Sequence, residues 1–173
     1  DGKTIFPLKT VGKTSKTGTL INFVPSKKVF SSTKFNSSTL QKRMRELAFL
    51  NKGLTITLLD KTGKKEKEYK NKYDGGIQEF VEFLDSKKKA LINKNESILF
   101  KKPIYISGEK NKVFVECSLK WNAAYSEDML PFTNNIQQID GGTHLLGFRS
   151  ALTRVINKYA ISSNLLKKNK ITL

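Results

Sequence analysis

The sequence predicts an α+β fold, with hairpins and helices in clumps rather than in regular alternation. Three observations point to it. Alternating apolar runs come in pairs, 54–59 with 66–73 and 98–107 with 112–121, and each pair is joined by a polar turn containing glycine. Segments starting near positions 37, 77 and 143 carry apolar residues at helical spacing. The chain has 173 residues, 38% of them hydrophobic, with eleven Phe, five Tyr and one Trp, enough for one core or parts of two.

Residues 1–17 are polar with scattered Gly, Lys and Thr and read as loop. The run 18–24 (GTLINFV) alternates and reads as a strand closed by Pro25. A Ser- and Lys-rich loop, 26–36, follows. Asn36, Ser37 and Ser38 can cap a helix whose apolar residues are Leu40, Met44, Leu47, Ala48 and Leu50, with Gly53 as its C-terminal stop. Then comes the first hairpin, turning at 60–65 around Gly63.

Gly75-Gly76 breaks the chain and is the candidate boundary between two pieces, 1–74 and 75–173. Ile77, Phe80, Val81 and Leu84 then line one face of a short helix. Lys87, Lys88 and Lys89 suit the negative end of its dipole. After a loop at 90–97, the second hairpin turns through Gly108-Glu109-Lys110-Asn111. A short strand is expected at 129–133. Asp140-Gly141-Gly142-Thr143 opens a long helix to about Ile161, with Leu145, Phe148, Leu152, Val155, Ile156 and Tyr159 on one side.

Lys and Arg number 32 against 15 Asp and Glu, a net charge of +17. Such a surface attracts polyanions over a Debye length of ~8–10 Å, which makes nucleic acid the first partner to consider. Most of the excess is Lys, and Lys, Asn and Ile are all abundant, so an AT-rich genome gives the same composition without any partner. Both readings stand on charge alone. No apolar run approaches the ~20 residues of a membrane span, and no signal peptide is evident. The lone cysteine, Cys117, lies in an alternating run and reads as a structural thiol. It can form no intramolecular disulfide, which fits a cytoplasmic setting. The chain opens on Asp1 and stops at Ile171-Thr172-Leu173, which reads as an entering strand, so both ends are expected to continue in a longer protein.

No catalytic constellation is evident from the residues themselves. His144 is the only histidine and has neither metal-ligand partners at the right spacing nor a nucleophile, so it reads as a structural hydrogen-bonding group. Glu127-Asp128 and Glu66 with Glu68 read as solvated surface. The turn at 140–143 could present N–H groups to an anion, but neither a GxxxxGK[ST] nor a GxGxxG pattern accompanies it, and a capped turn is the simpler reading.

Several phrases, in order, carry a family resemblance. KTGTLINFVPS at 16–26 resembles the last strand of the nucleotide-binding domain of the DNA gyrase B family, and KRMRELAFLN at 42–51 resembles that domain's late helix. Tyr73-Asp74-Gly75-Gly76-Ile77 with Phe80 and Val81 resembles the junction into the transducer domain. Trp121-Asn122, FTNNI at 132–136, Gly141-Gly142-Thr143-His144, Gly147-Phe148-Arg149 and Ala151-Leu152-Thr153-Arg154 resemble the transducer. Together they span nearly the whole chain. The ATPase subunit of topoisomerase IV shares most of them, and the two families are not separated by these phrases.

The resemblance implies the C-terminal part of a GHKL nucleotide-binding sandwich at 1–74, followed by a transducer of the ribosomal-protein-S5-domain-2-like type at 75–173. It implies a type II topoisomerase that uses ATP and Mg2+, dimerises, works with the gyrase A protein, and couples nucleotide state to DNA strand passage. The family's general-base carboxylate, magnesium-binding asparagine and lid are expected before Asp1, and its phosphate-reaching Gln-Thr-Lys loop after Leu173; no such tripeptide occurs here. No catalytic residue is therefore assigned to this chain. Thr19 matches the family threonine of the adenine pocket, where a hydroxyl can both donate and accept, although a strand also favours Thr. Arg149 matches an arginine facing the DNA-holding cavity of the dimer, where a guanidinium suits phosphate; a solvated helix face is the alternative. Ile139 departs from the pattern, since many relatives carry a basic residue there. A stand-alone basic nucleic-acid-binding module and an inactive truncated product are the rival readings.

Overall fold

The computed structural model describes residues 3–19 and 23–165. The chain divides into two units, Asp1–Asn36 and Ser37–Leu173. In the first, the described residues form no helix or strand. Its local order is a turn in which Val29 and Phe30 both donate to the Ser26 carbonyl, at 3.1 and 3.0 Å. Phe23 meets Phe35 edge to face, with ring centres 5.8 Å apart. Part of the strand expected at 18–24, namely 20–22, lies outside the described residues, as does the expected entering strand at 171–173.

The second unit is mixed α and β, with three two-stranded antiparallel sheets among the described residues. Helix α1 spans Ser37–Leu50, as its apolar spacing predicts, and buries Ala48 and Phe49. Its exit is tight. Gly53 has φ +80, a left-handed position that glycine adopts without strain, and its N–H donates to the Tyr73 carbonyl at 3.0 Å. Leu54 N–H donates back to the Asn51 carbonyl. Leu54 is thus engaged by the helix end and Gly53 by the exit of β2, and β1 starts only at Ile56 and runs to Asp60. Its partner β2, Lys67–Asn71, stops before Tyr73, with Ile56 opposite Asn71 and Asp60 opposite Lys67.

Helix α2 spans Ile77–Asp85. Gly76, at φ +61, precedes it, and the Gly75 N–H donates to the Glu79 side chain at 3.0 Å, satisfying a donor at the helix start. The lysine cluster does not end this helix as expected. The Ser86 hydroxyl caps the Phe83 carbonyl at 2.7 Å, and Lys87–Lys89 follow in the next turn.

Strands β3 (Ile104–Lys110) and β4 (Val113–Leu119) form the second hairpin. The expected turn at 108–111 is corrected. Gly108 sits in the ladder opposite Val115, and the turn is Asn111-Lys112, with φ +52 and +62. Two successive left-handed residues make a two-residue connection that matches the natural twist of the strands. Residues 98–103, expected in β3, are instead irregular, touching the preceding loop through the bridge Ile92–Ile98. The short strand expected at 129–133 is β5, Phe132–Thr133, and it pairs with β6, Ile136–Gln137, across Asn134-Asn135 at φ +47 and +67. Helix α3 spans Thr143–Ser162. Its apolar stripe is only half covered: Leu145, Phe148 and Leu152 are partly buried, while Val155, Ile156 and Tyr159 are exposed.

The core gathers on Phe49, which is 1% exposed. Its ring stacks on Tyr73 at 3.6 Å and on Phe80 at 4.7 Å, and meets Phe83 at 5.5 Å. Residues from α1, the exit of β2 and α2 thus share one aromatic pile, each ring pair adding roughly 0.5–1.5 kcal/mol beyond its buried area. The Arg45 guanidinium covers the outer face of Phe83, 5.1 Å from its centre.

Candidate functional site

Three elements of the second unit converge on one cleft of about 430 Å³. Helix α2 supplies Val81, Leu84 and Asp85, the end of β4 and its exit supply Cys117 to Asn122, and α3 supplies Phe148 and Leu152. The 123–129 segment closes one side with Glu127, Asp128 and Met129.

The polar centre of this cleft is Asp85. Lys120 Nζ lies 2.7 Å from its carboxylate and Asn122 Nδ2 donates to it at 2.7 Å. Both charged side chains are largely withdrawn from water, at 10% and 15% exposure. Burial works to raise the Asp85 carboxyl. The hydrogen bonds from Lys120 and Asn122, with the charges of Lys120 and Lys88, overcome it and hold the group below its ordinary value. The chain is folded back here as well, because Ala90 bridges to Asn122 and the Ala123 N–H donates to the Lys89 carbonyl at 2.9 Å. This arrangement is structural: it locks the exit of α2 to the exit of β4.

Farther out, two carboxylates on the 123–129 segment meet cations from different parts of the unit. Asp128 pairs with Lys88, just beyond α2. Glu127 pairs with Arg149 on α3, whose Nη2 donates to both carboxylate oxygens at 3.0 and 3.1 Å. The expectation of solvated surface for Glu127 and Asp128 is therefore refined: they are surface residues held in ion pairs. Glu66 likewise lies 2.9 Å from Lys61 across the first hairpin.

Arg149 stands on the exposed side of α3, with its side chain 52% exposed. Thr19 is exposed, in an irregular stretch of the first unit, and its successors 20–22 lie outside the described residues. The two belong to different units. Cys117 is half-buried, and burial pushes its thiol up from the ordinary value. His144 is exposed on the first turn of α3. Among the described residues no three His, Cys, Asp or Glu side chains form a group able to hold a metal ion. No helix among them is long and apolar enough to cross a membrane.

A family model described as DNA gyrase B matches residues 76–173. The chain belongs to the DNA gyrase B family. The gyrase B relative from Caulobacter vibrioides is 47% identical over 170 residues, covering 96% of this chain and 20% of the relative. That of Staphylococcus epidermidis is 44% identical over 166 residues, covering 95% of this chain and 25% of its own length. That of Streptococcus pyogenes is 42% identical over 173 residues, covering 99% and 25%. The chain therefore spans a fifth to a quarter of the gyrase B relatives it matches. Among solved structures, the 43K ATPase domain of Thermus thermophilus gyrase B, in complex with an aminocoumarin, superposes with a TM-score of 0.64 at 31% identity. It covers 82% of this chain and 36% of that one. The B-subunit of the DNA gyrase from Myxococcus xanthus gives a TM-score of 0.66 over 80% of this chain and 37% of its own, at 23% identity, and supports the fold. The α+β class expected from the sequence agrees with both.

Proposed function

We propose that this chain is a stretch of the ATP-operated region of a bacterial type II DNA topoisomerase, the B component of DNA gyrase. In the whole protein it would couple ATP binding and hydrolysis to DNA strand passage and supercoiling. The observation that carries this is the gyrase B likeness over 96% of the chain, on both sides of Gly75-Gly76. On this reading residues 1–74 end the GHKL domain and 75–173 form most of the transducer. The whole protein acts in the cytoplasm as a homodimer with the gyrase A protein, on DNA, using ATP and Mg2+ held mainly by residues outside this chain.

Two residues here have roles on that reading. Thr19 serves the adenine pocket through its hydroxyl, completed by neighbours from elsewhere in the protein. Arg149 offers a permanently charged fork to DNA phosphates, and its place on an exposed helix face supports that. The Asp85–Lys120–Asn122 lock keeps α2 and β4 moving as one piece, which suits an element that relays a conformational change.

The test is a supercoiling assay of the whole protein with the gyrase A protein on relaxed circular DNA, with and without ATP. ATP-dependent negative supercoiling supports the reading. Efficient decatenation without supercoiling assigns the chain to topoisomerase IV. The 173-residue chain alone is expected to show no magnesium-dependent ATPase.

The net charge of +17 favours a second reading, a basic module that binds nucleic acid unaided. It requires tight binding by the chain alone, with log K falling by about 0.9 per phosphate neutralised for each decade of salt. The topoisomerase reading requires weak binding by the chain alone.

A further inference from the structure

Glu127 occupies the guanidinium that the topoisomerase role gives to DNA. Arg149 Nη2 donates to Oε1 at 3.0 Å and to Oε2 at 3.1 Å. Both side chains are exposed, at 52% for Arg149 and 60% for Glu127. The contact engages one of the three guanidinium nitrogens, so it is weaker than a two-nitrogen fork onto an anion. An exposed pair of this kind is readily exchanged. The carboxylate is nevertheless not left to drift. The next residue, Asp128, is paired with Lys88 beyond α2, and the Ala123 N–H is tied to the Lys89 carbonyl. The segment bearing Glu127 is thus tied to the residues that follow α2 whether or not Glu127 holds Arg149.

We propose that Glu127 is an intramolecular stand-in for a DNA phosphate. It holds and orients the Arg149 guanidinium while DNA is absent. A phosphodiester that takes two parallel N–H donors displaces it, and it recaptures the guanidinium when the DNA leaves. Its role is to weaken DNA retention at this point, which an enzyme that must release each DNA segment requires. The proposal rests on Arg149 being a DNA contact.

The test uses the full-length protein assembled with the gyrase A protein, and a fluorescently labelled DNA duplex read by anisotropy at low salt. Wild type, Glu127→Gln, Arg149→Gln and the double variant are compared. Both positions are exposed, so neither substitution leaves a buried group unpaired. The expected result is weaker binding for Arg149→Gln and roughly two- to five-fold tighter binding for Glu127→Gln. The double variant should match Arg149→Gln. If Arg149→Gln weakens binding while Glu127→Gln changes nothing, the stand-in is overturned and the DNA contact survives. If Glu127→Gln tightens binding equally with Arg149 replaced, the effect is general charge and the stand-in is again overturned. If Arg149→Gln leaves affinity unchanged, the contact itself fails and the proposal with it.

Discussion

Asn135 donates its side-chain amide to the side-chain Oδ1 of Asn51 at 3.1 Å, joining residues 84 positions apart. Asn51 in turn donates to the Leu47 carbonyl at 2.7 Å, and Arg43 Nη2 donates to the Asn135 backbone carbonyl at 2.8 Å. The β5–β6 turn is therefore clipped to the last two turns of α1. Asn135 also sits at φ +67, which asparagine tolerates better than most residues. Asn135→Ala loses the amide and strains the turn together, and should cost about 1–3 kcal/mol in urea unfolding. Asn135→Gly loses the amide alone and should cost less. Equal losses would show that the backbone conformation contributes nothing.

Phe49 carries the packing of the unit. Phe49→Ala empties the space between Tyr73, Phe80 and Phe83 and should destabilise by about 3–5 kcal/mol. Phe49→Leu should cost clearly less. A loss below ~1 kcal/mol for the alanine variant would mean that the pile collapses to fill its own cavity.

Acid should weaken the fold through two carboxylates. Hydrogen bonds from the Ser37 hydroxyl, then from the Thr62 side chain and backbone, hold Asp60 down from 3.8 to about 2. Asp85 is also held below its ordinary value. A group whose folded-state value lies below its unfolded value is stabilising when ionised. That stability is present above about pH 4 and is lost as pH falls through the folded-state value. Lys120→Met should remove about 2 kcal/mol at neutral pH by leaving Asp85 with only the Asn122 hydrogen bond and the more distant Lys88 charge. It should also flatten the acid limb of a stability–pH curve. An unchanged acid limb would mean that Lys120 does not set the Asp85 ionisation.

Lys112 sits at φ +62 in the β3–β4 turn, a conformation that costs a lysine energy and a glycine almost none. Lys112→Gly creates an Asn-Gly turn and should raise stability by roughly 0.5–1 kcal/mol, seen as a higher unfolding midpoint. A lower midpoint would show that the lysine side chain holds something across the hairpin.

Local signals are legible in the sequence, and compensating geometry is not. The three helices follow directly from apolar spacing and their flanking residues. The first hairpin is legible but shorter than its apolar run, because the Leu54 N–H turns back to Asn51 at the exit of α1 and the Gly53 N–H goes to the Tyr73 carbonyl. Gly108 misleads as a marker of the second turn because glycine is the usual sign of one, yet the positive φ angles fall on Asn111 and Lys112. Asn134-Asn135 carries a usable hint of the β5–β6 turn, since paired asparagines tolerate the left-handed region. Glu127 and Asp128 cannot be matched to Arg149 and Lys88 from sequence, because 22 and 40 residues separate the partners. Arg149 itself comes from resemblance, and no spacing of charges singles it out.

Trp121 is the sole tryptophan in the chain and lies at the rim of the cleft, 5.2 Å from Phe100 and 40% exposed. The Phe49 pile holds only phenylalanine and tyrosine. Fluorescence excited at the indole band therefore reports the surroundings of Asp85 and the 123–129 segment, whereas far-ultraviolet dichroism follows the backbone of all three helices together. The molecule thus carries one local optical probe and one global one. Superimposable melting curves from the two would mean that cleft and core come apart as one body; an earlier indole transition would mean that the cleft opens while the core stands.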